Sequence, residues 1–268
     1  MSAWFLPALY VLLVWWLGTG VVLWLQHRLP PGSRRAAVTL ICLAALSMLA
    51  LAISGATLSH AASLAGFTAA ILLWGSLELA HNLGLVTGTH TDHCPAGARG
   101  WHRFRLALGT SIWHELSVLG TGIAVAVLLV EAINPTGALT FTVLWLMRWS
   151  AKLNLFLGVP NFNTDWFPSR LRHLASYIRR APVSLFYPLA LTLATLVLVA
   201  MLHRGIGANG AERLVYGLPA VLLMLAILEH VFLAIPLPDQ ELWNRWFRSD
   251  RPGRPADLST DLSTDNPS

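Results

Sequence analysis

Residues 137–157, GALTFTVLWLMRWSAKLNLFL, are long and apolar enough to cross a bilayer as a helix, yet they contain Arg148 and Lys152. In a helix these two cations lie on one face at i, i+4 and repel each other unless carboxylates, lipid headgroups or a cofactor neutralise them. An ionised group in hydrocarbon is costly, so the stretch points to counter-charges elsewhere in the chain and to a bundle that brings them together. The candidates lie in other apolar blocks: Glu78 and His81 in WGSLELAHNLG, His114 and Glu115 in GTSIWHELS, and Glu229 and His230 in LAILEHVFLAIPLPD.

The rest of the chain supports a membrane setting. Of 268 residues 55% are hydrophobic and only 12% charged, against roughly 25% charged in an average soluble domain. Mean hydropathy is +0.59. Apolar blocks recur at 4–25, 36–54, 61–86, 106–130, 137–157, 183–203 and 214–236, which predicts an all-α polytopic bundle of about seven transmembrane helices. The second block is the shortest, and SGATLSHAAS after it reads equally as a tight outer turn. The first lacks a basic n-region and a cleavage site, and is expected to be a retained span. Residues 1–248 are expected to form the helical domain, and 249–268, rich in Pro, Ser and Asp without aromatics, a disordered cytoplasmic tail.

A net charge of +5 would suggest nucleic acid in a soluble protein. Here it sorts by loop. Arg28, Arg34 and Arg35, then Arg99, Arg103 and Arg105, then Arg170, Arg172, Arg179 and Arg180, and finally Arg245, Arg248, Arg251 and Arg254 fall on one side of the predicted spans. Only Arg204 and Arg213 fall on the other. Fourteen against two places the N-terminus outside and the C-terminus in the cytoplasm. No nucleic-acid partner is expected.

Three chemistries compete for the polar residues within the spans. Glu78, Glu115, Arg148, Lys152 and Glu229 can form a buried ion-pair network that fixes helix packing. Alternatively Glu78, His81, His114, Glu115, Glu229 and His230 supply the ligand types of a helical di-iron site, or His81, His114 or His230 an axial ligand to a tetrapyrrole metal. Trp4, Trp15, Trp16, Trp24, Trp101, Trp166, Trp243 and Trp246 read as interfacial belt residues, while Trp74, Trp113, Trp145 and Trp149 lie deeper and suit stacking on a pigment or quinone.

The loop HTDHCP, with His90, Asp92, His93, Cys94 and the later His102, has zinc-type ligands without zinc-finger spacing and reads as a polar loop. Cys42 and Cys94 do not form a disulfide framework. There is no P-loop, dinucleotide glycine fingerprint, nucleophile elbow or zincin pattern. From the end of the fifth block, KLNLFLGVPNFNTDWFPSRLRHL is polar and Pro-punctuated, with Asn154, Asn161, Phe162 and Asn163. It predicts a structured interfacial segment leading into a short amphipathic surface helix, with Arg170, Arg172, Arg179 and Arg180 set to meet lipid or a partner.

Several long pieces in order, LVWWLGTGVVLWL, CPAGARGWHRFRLA, SIWHELSVL, LWLMRWSAKLNLFLGVPNFN, LRHLASYIRR and LEHVFLAIPLPDQELW, resemble the photosynthetic complex assembly protein 2 family, the PuhE type of phototrophic bacteria. The resemblance runs from about residue 9 to residue 248. It implies a membrane accessory factor for assembly or stability of the photosynthetic reaction centre and light-harvesting complex in the bacterial cytoplasmic or intracytoplasmic membrane, with their subunits and membrane lipids as partners. It carries no catalytic motif, so a non-catalytic role is favoured. The alternative is a tetrapyrrole- or metal-binding membrane enzyme of bacteriochlorophyll maturation, with bacteriochlorophyll or iron as cofactor. A small transporter ranks last, because seven spans do not divide into two equal inverted halves.

Overall fold

The computed structural model describes residues 2–162 and 167–235. The tail at 249–268, Asn163, three of the belt tryptophans (Trp166, Trp243 and Trp246) and the four C-terminal arginines lie outside the described residues. The chain order is α1 (Ser2–Arg28), α2 (Arg34–Gly55), α3 (His60–Asn82), α4 (Gly100–Gly109), α5 (Ile112–Leu128), α6 (Thr136–Leu157), a 3-10 segment (Ser169–Tyr177), α7 (Phe186–Gly207) and α8 (Gly210–Ala234).

The starts of α2 and α3 are set by serine caps. Ser33 Oγ accepts from Ala36 N–H at 3.3 Å and Ser59 Oγ from Ala62 N–H at 3.1 Å, each meeting a donor that a helix start leaves unpaired. The polar stretch after the second block is therefore both a helix end and the next helix start, and the short second block is a complete 22-residue helix.

Helices α3, α6 and α8 pack on one another, with α1 against α3 and α8. Val11, Phe67, Val143, Leu218 and Leu222 form their shared core, and Leu51, Leu73, Val118, Val125 and Phe141 join α2, α3, α5 and α6. Small residues allow the closest approach: a Cβ on Gly137 of α6 would lie 3.2 Å from the Gly66 carbonyl oxygen of α3. With lipid on the outside such contact, rather than expulsion of water, favours helix association. Trp4, expected in an interfacial belt, packs over Gly205 and Gly217.

By length and apolarity fewer helices qualify as spans than the seven predicted. Among the described residues five helices, α1, α2, α3, α7 and α8, are long and apolar enough to cross a membrane, or six when α4 and α5 are taken as one broken span. The block at 106–130 is bent by 73° between α4 and α5. The break is stabilised from outside: Thr87 O accepts from the N–H groups of Trp113 and His114 at 3.0 and 3.2 Å, and Gly109 O accepts from Thr89 and His90 N–H at 2.8 and 3.2 Å. A Cβ on Gly109 would meet His90 Nδ1 at 2.5 Å, so glycine is what admits the loop. Helix α6 has 22 residues but is not among the five, because Arg148 and Lys152 lower its apolarity.

Candidate functional site

Helical spacing explains how α6 serves two neighbours. Positions 148 and 152 differ by about 40° around the axis, and position 150 is about 200° from 148. Arg148 and Lys152 thus turn toward α3 and α5, and Ser150 toward α8. Arg148 Nε lies 2.5 Å from Glu78 Oε1 and its Nη1 donates to Glu115 Oε1 at 3.0 Å. Lys152 Nζ donates to Glu115 Oε1 and, at 3.1 Å, to Ser111 Oγ. Two carboxylates and two cations balance, which resolves the repulsion between the two basic side chains. Glu115 is only 6% exposed and begins α5, where a negative side chain also favours the helix N-terminus.

His81 and His114 stand beside this cluster, their rings 4.5 Å apart and tilted by 33°. His114 Nε2 lies 3.7 Å from Glu78 Oε1, beyond hydrogen-bond length, and neither ring nitrogen of His114 is hydrogen-bonded. His81 Nδ1 lies 3.0 Å from Val86 O. A carbonyl only accepts, so Nδ1 carries a proton, and in the neutral ring Nε2 keeps its lone pair.

The ion-pair reading needs one correction. Glu229 is exposed on the outside of the described bundle and is not an ion-pair partner of Arg148 or Lys152. His230 faces Ser150: its Nδ1 donates to Ala226 O at 2.8 Å, so its Nε2 accepts from Ser150 Oγ at 2.9 Å. Glu229 and His230 therefore do not join Glu78, His81, His114 and Glu115, and among the described residues no group of three or more His, Cys, Asp or Glu could hold a metal ion. Of the three histidines considered as tetrapyrrole ligands, His230 has both nitrogens occupied, His114 is 1% exposed, and His81 lines a cavity beside the ion pairs.

That cavity, of about 290 Å³, has Glu78, His81, Glu115, Arg148 and Lys152 along its polar end. Its walls come from α4, the end of α6 and the 3-10 segment, and include two aromatic pairs. Phe104 meets Phe156 edge-on at 5.5 Å, and Phe162 lies 5.8 Å from Phe167. Arg103 ties the walls together by donating to Phe156 O at 3.0 Å and Tyr177 O at 2.7 Å while lying over the Phe156 ring. Arg170 donates to Asn82 O and, at 3.3 Å, to Gln26 O, closing the ends of α3 and α1. Burial pushes the Tyr177 phenol above its ordinary pKa, so it remains a neutral donor, to Asp92 O at 3.3 Å.

The expected surface helix is this 3-10 segment, with Leu171, His173 and Tyr177 buried. Arg172, Arg179 and Arg180 are exposed, as a lipid or partner contact requires, whereas Arg170 is turned inward to backbone carbonyls. The HTDHCP loop docks here too, through Cys94 N–H to Ser176 Oγ at 2.8 Å. Sequence reasoning missed Ser111, Arg103 and the aromatic walls. Arg103 had been counted only as a topology charge, and the spacing of Phe104, Phe156, Phe162 and Phe167 carries no local signal of convergence. Of the deep tryptophans, Trp74 packs edge-on against Phe141 at 5.5 Å, Trp145 packs in the core and Trp149 lines the cavity, but Trp113 is exposed.

Residues 1–254 match the model of a family described as "Protein of unknown function (DUF3623)". The chain belongs to the DUF3623 family. A relative from Rhodobacter capsulatus, described as "Uncharacterized 30.4 kDa protein in puhA 5'region", is 38% identical over 243 residues, covering 89% of each chain. No solved structure matches this DUF3623 chain.

Proposed function

We propose that this DUF3623 protein is a multi-pass membrane accessory factor of the bacterial photosynthetic apparatus, acting in assembly or stability of the reaction centre and light-harvesting complex. The observation that carries the reading is the 38% identity over 89% of both chains to a Rhodobacter capsulatus protein whose description places it in the puhA 5' region. A bundle with five long apolar helices suits that role. The paired cations and carboxylates suit a non-catalytic one, because their charges neutralise one another.

In this reading α6 also crosses the membrane. It packs between α3 and α8, both apolar enough to cross, and its two cations are matched within the bundle. With α4 at the interface and α5 entering the bilayer, the spans number seven, with the N-terminus outside and the arginine-rich loops in the cytoplasm. A topology reporter after Ser59 is then outside and one after Gly97 inside; the reverse pattern refutes this arrangement.

The function is tested by deleting the gene in a phototrophic host and measuring near-infrared absorption of membranes, with and without the gene restored. Loss of assembled complexes, restored together with the protein, is the expected outcome. Unchanged complex levels under phototrophic growth would overturn the accessory reading. Gentle purification identifies the partner: recovery of reaction-centre or light-harvesting subunits is expected.

A further inference from the structure

The cavity combines features that an inert ion-pair network does not require. Its polar end presents three groups with unused hydrogen-bonding capacity. His81 Nε2 is a bare acceptor, because Nδ1 is committed to Val86 O. Glu78 is 23% exposed, and its Oε1, beside Arg148 Nε and His114 Nε2, makes no hydrogen bond among the described residues. Lys152 is 33% exposed and has three N–H bonds, of which Ser111 and Glu115 take two. Two acceptors and one donor thus line one end of the cavity.

The remaining lining is mostly apolar and rich in aromatic rings, the Phe104–Phe156 and Phe162–Phe167 pairs among them. Flat rings gain most from such walls. A volume of about 290 Å³ sits at the low end for small-molecule pockets and suits one substituted ring rather than a macrocycle of four. The lining joins the ends of α3 and α6 to α4 and the 3-10 segment, a position that suits an amphipathic occupant with a polar head and a lipid tail.

We infer that this cavity binds a lipid-soluble dihydroxylated aromatic ring, the head of a quinol. One hydroxyl donates to His81 Nε2 or the Glu78 carboxylate while ring oxygens accept from Lys152, and the ring lies between the phenylalanine pairs. The oxidised quinone has acceptors only. It can use Lys152 but leaves the His81 and Glu78 acceptors unmatched, so the reduced form binds more tightly. The site goes beyond the accessory role above and does not depend on it.

The test uses the full chain in lipid nanodiscs under anaerobic conditions, titrated with short-chain ubiquinol and, separately, with short-chain ubiquinone by calorimetry. Ubiquinol is expected to bind about tenfold or more tightly than ubiquinone, the scale of one or two hydrogen bonds to polar or charged acceptors. His81→Phe keeps a ring beside His114 but removes the acceptor, and should erase most of that preference. Phe104→Leu leaves every named hydrogen bond intact and should weaken both forms by about threefold to tenfold, the value of an aromatic contact. Equal binding of the two forms, binding of neither, or a redox preference unaffected by His81→Phe overturns the inference. So does a co-purifying tetrapyrrole or phospholipid that fills the cavity and is not displaced by ubiquinol. If His81→Phe fails to accumulate, the ubiquinol-to-ubiquinone ratio and Phe104→Leu still decide the matter.

Discussion

The chain contains the pair His-Glu at 114–115 on α5 and its reverse, Glu-His, at 229–230 on α8, and the two have opposite fates. His114 and Glu115 are 1% and 6% exposed, set among α3, α5 and α6. On α8 the histidine is buried and the glutamate faces outward. Composition does not distinguish them; the face of α6 that each meets does. The Arg148–Lys152 face calls for carboxylates and receives Glu78 and Glu115. The opposite face offers the Ser150 hydroxyl, which a neutral imidazole satisfies and a carboxylate does not need to. A charged residue within a span is therefore structural only where its partner helix presents the complement.

The comparison breaks most visibly at Glu115. Glu115→Ala leaves Lys152 and one side of Arg148 without a carboxylate in a buried setting, a loss of about 3–5 kcal/mol when one member of a buried pair is removed. Membrane accumulation should collapse, read by immunoblot and by thermal unfolding in detergent. Wild-type levels would show that the network does not hold the bundle together. Arg148→Met comes next, because Glu78 and Glu115 both lose a cation while Lys152 still serves Glu115. Combining Arg148→Met with Glu78→Gln should recover part of the lost stability, since the second change removes the orphaned charge. Additive losses would mean that Glu78 and Arg148 act independently, against the 2.5 Å contact between them.

These residues also show how far the sequence could be read. Glu78, Glu115, Arg148 and Lys152 were legible because charges in apolar blocks are rare and costly, and their numbers balance once Glu229 is set aside. Most span boundaries were legible from hydropathy, and Ser33 and Ser59 fix where α2 and α3 start. The break at Thr110–Ser111 was not. It depends on the Thr87 carbonyl and on His90 reaching Gly109, contacts made by a loop some 20 residues earlier in the chain. The cavity was hidden for the same reason: its walls join α4 to the segment after α6, and no periodicity links Phe104 to Phe167. Glu229 was misassigned because the identity of a helical residue does not say which neighbour its face meets.

The α8 side predicts smaller effects. Ser150→Ala removes the hydroxyl that His230 Nε2 accepts from, leaving a buried acceptor unpaired, and should cost about 1–3 kcal/mol. Ser150→Thr keeps the hydroxyl and should recover most of the loss, measured as the shift in unfolding midpoint in detergent. No recovery would mean that the loss comes from packing around Ser150 and not from its hydrogen bond.

Glu229→Gln provides the sharpest contrast because its expected effect is the smallest. Glu229 lies about one and a half turns before the end of α8, with its side chain outside the described bundle and no hydrogen bond or ion pair to any described residue. Replacing the carboxyl by an amide keeps the shape and removes the ionisable group, so only electrostatics changes. Substitutions away from packed or paired features usually stay within about 0.5 kcal/mol, and Glu229→Gln should do the same in detergent, where nothing in the bundle depends on the charge. In the bilayer the variant should accumulate at least as well as the parent, because an acid exposed to hydrocarbon is a cost and not a contact. A loss comparable to that of Glu115→Ala would mean that Glu229 has a buried counter-charge after all, and the distinction between the two dipeptides would fail. A loss confined to native membranes, with detergent stability unchanged, would instead place that counter-charge on a partner helix and make the outward face of α8 a contact surface.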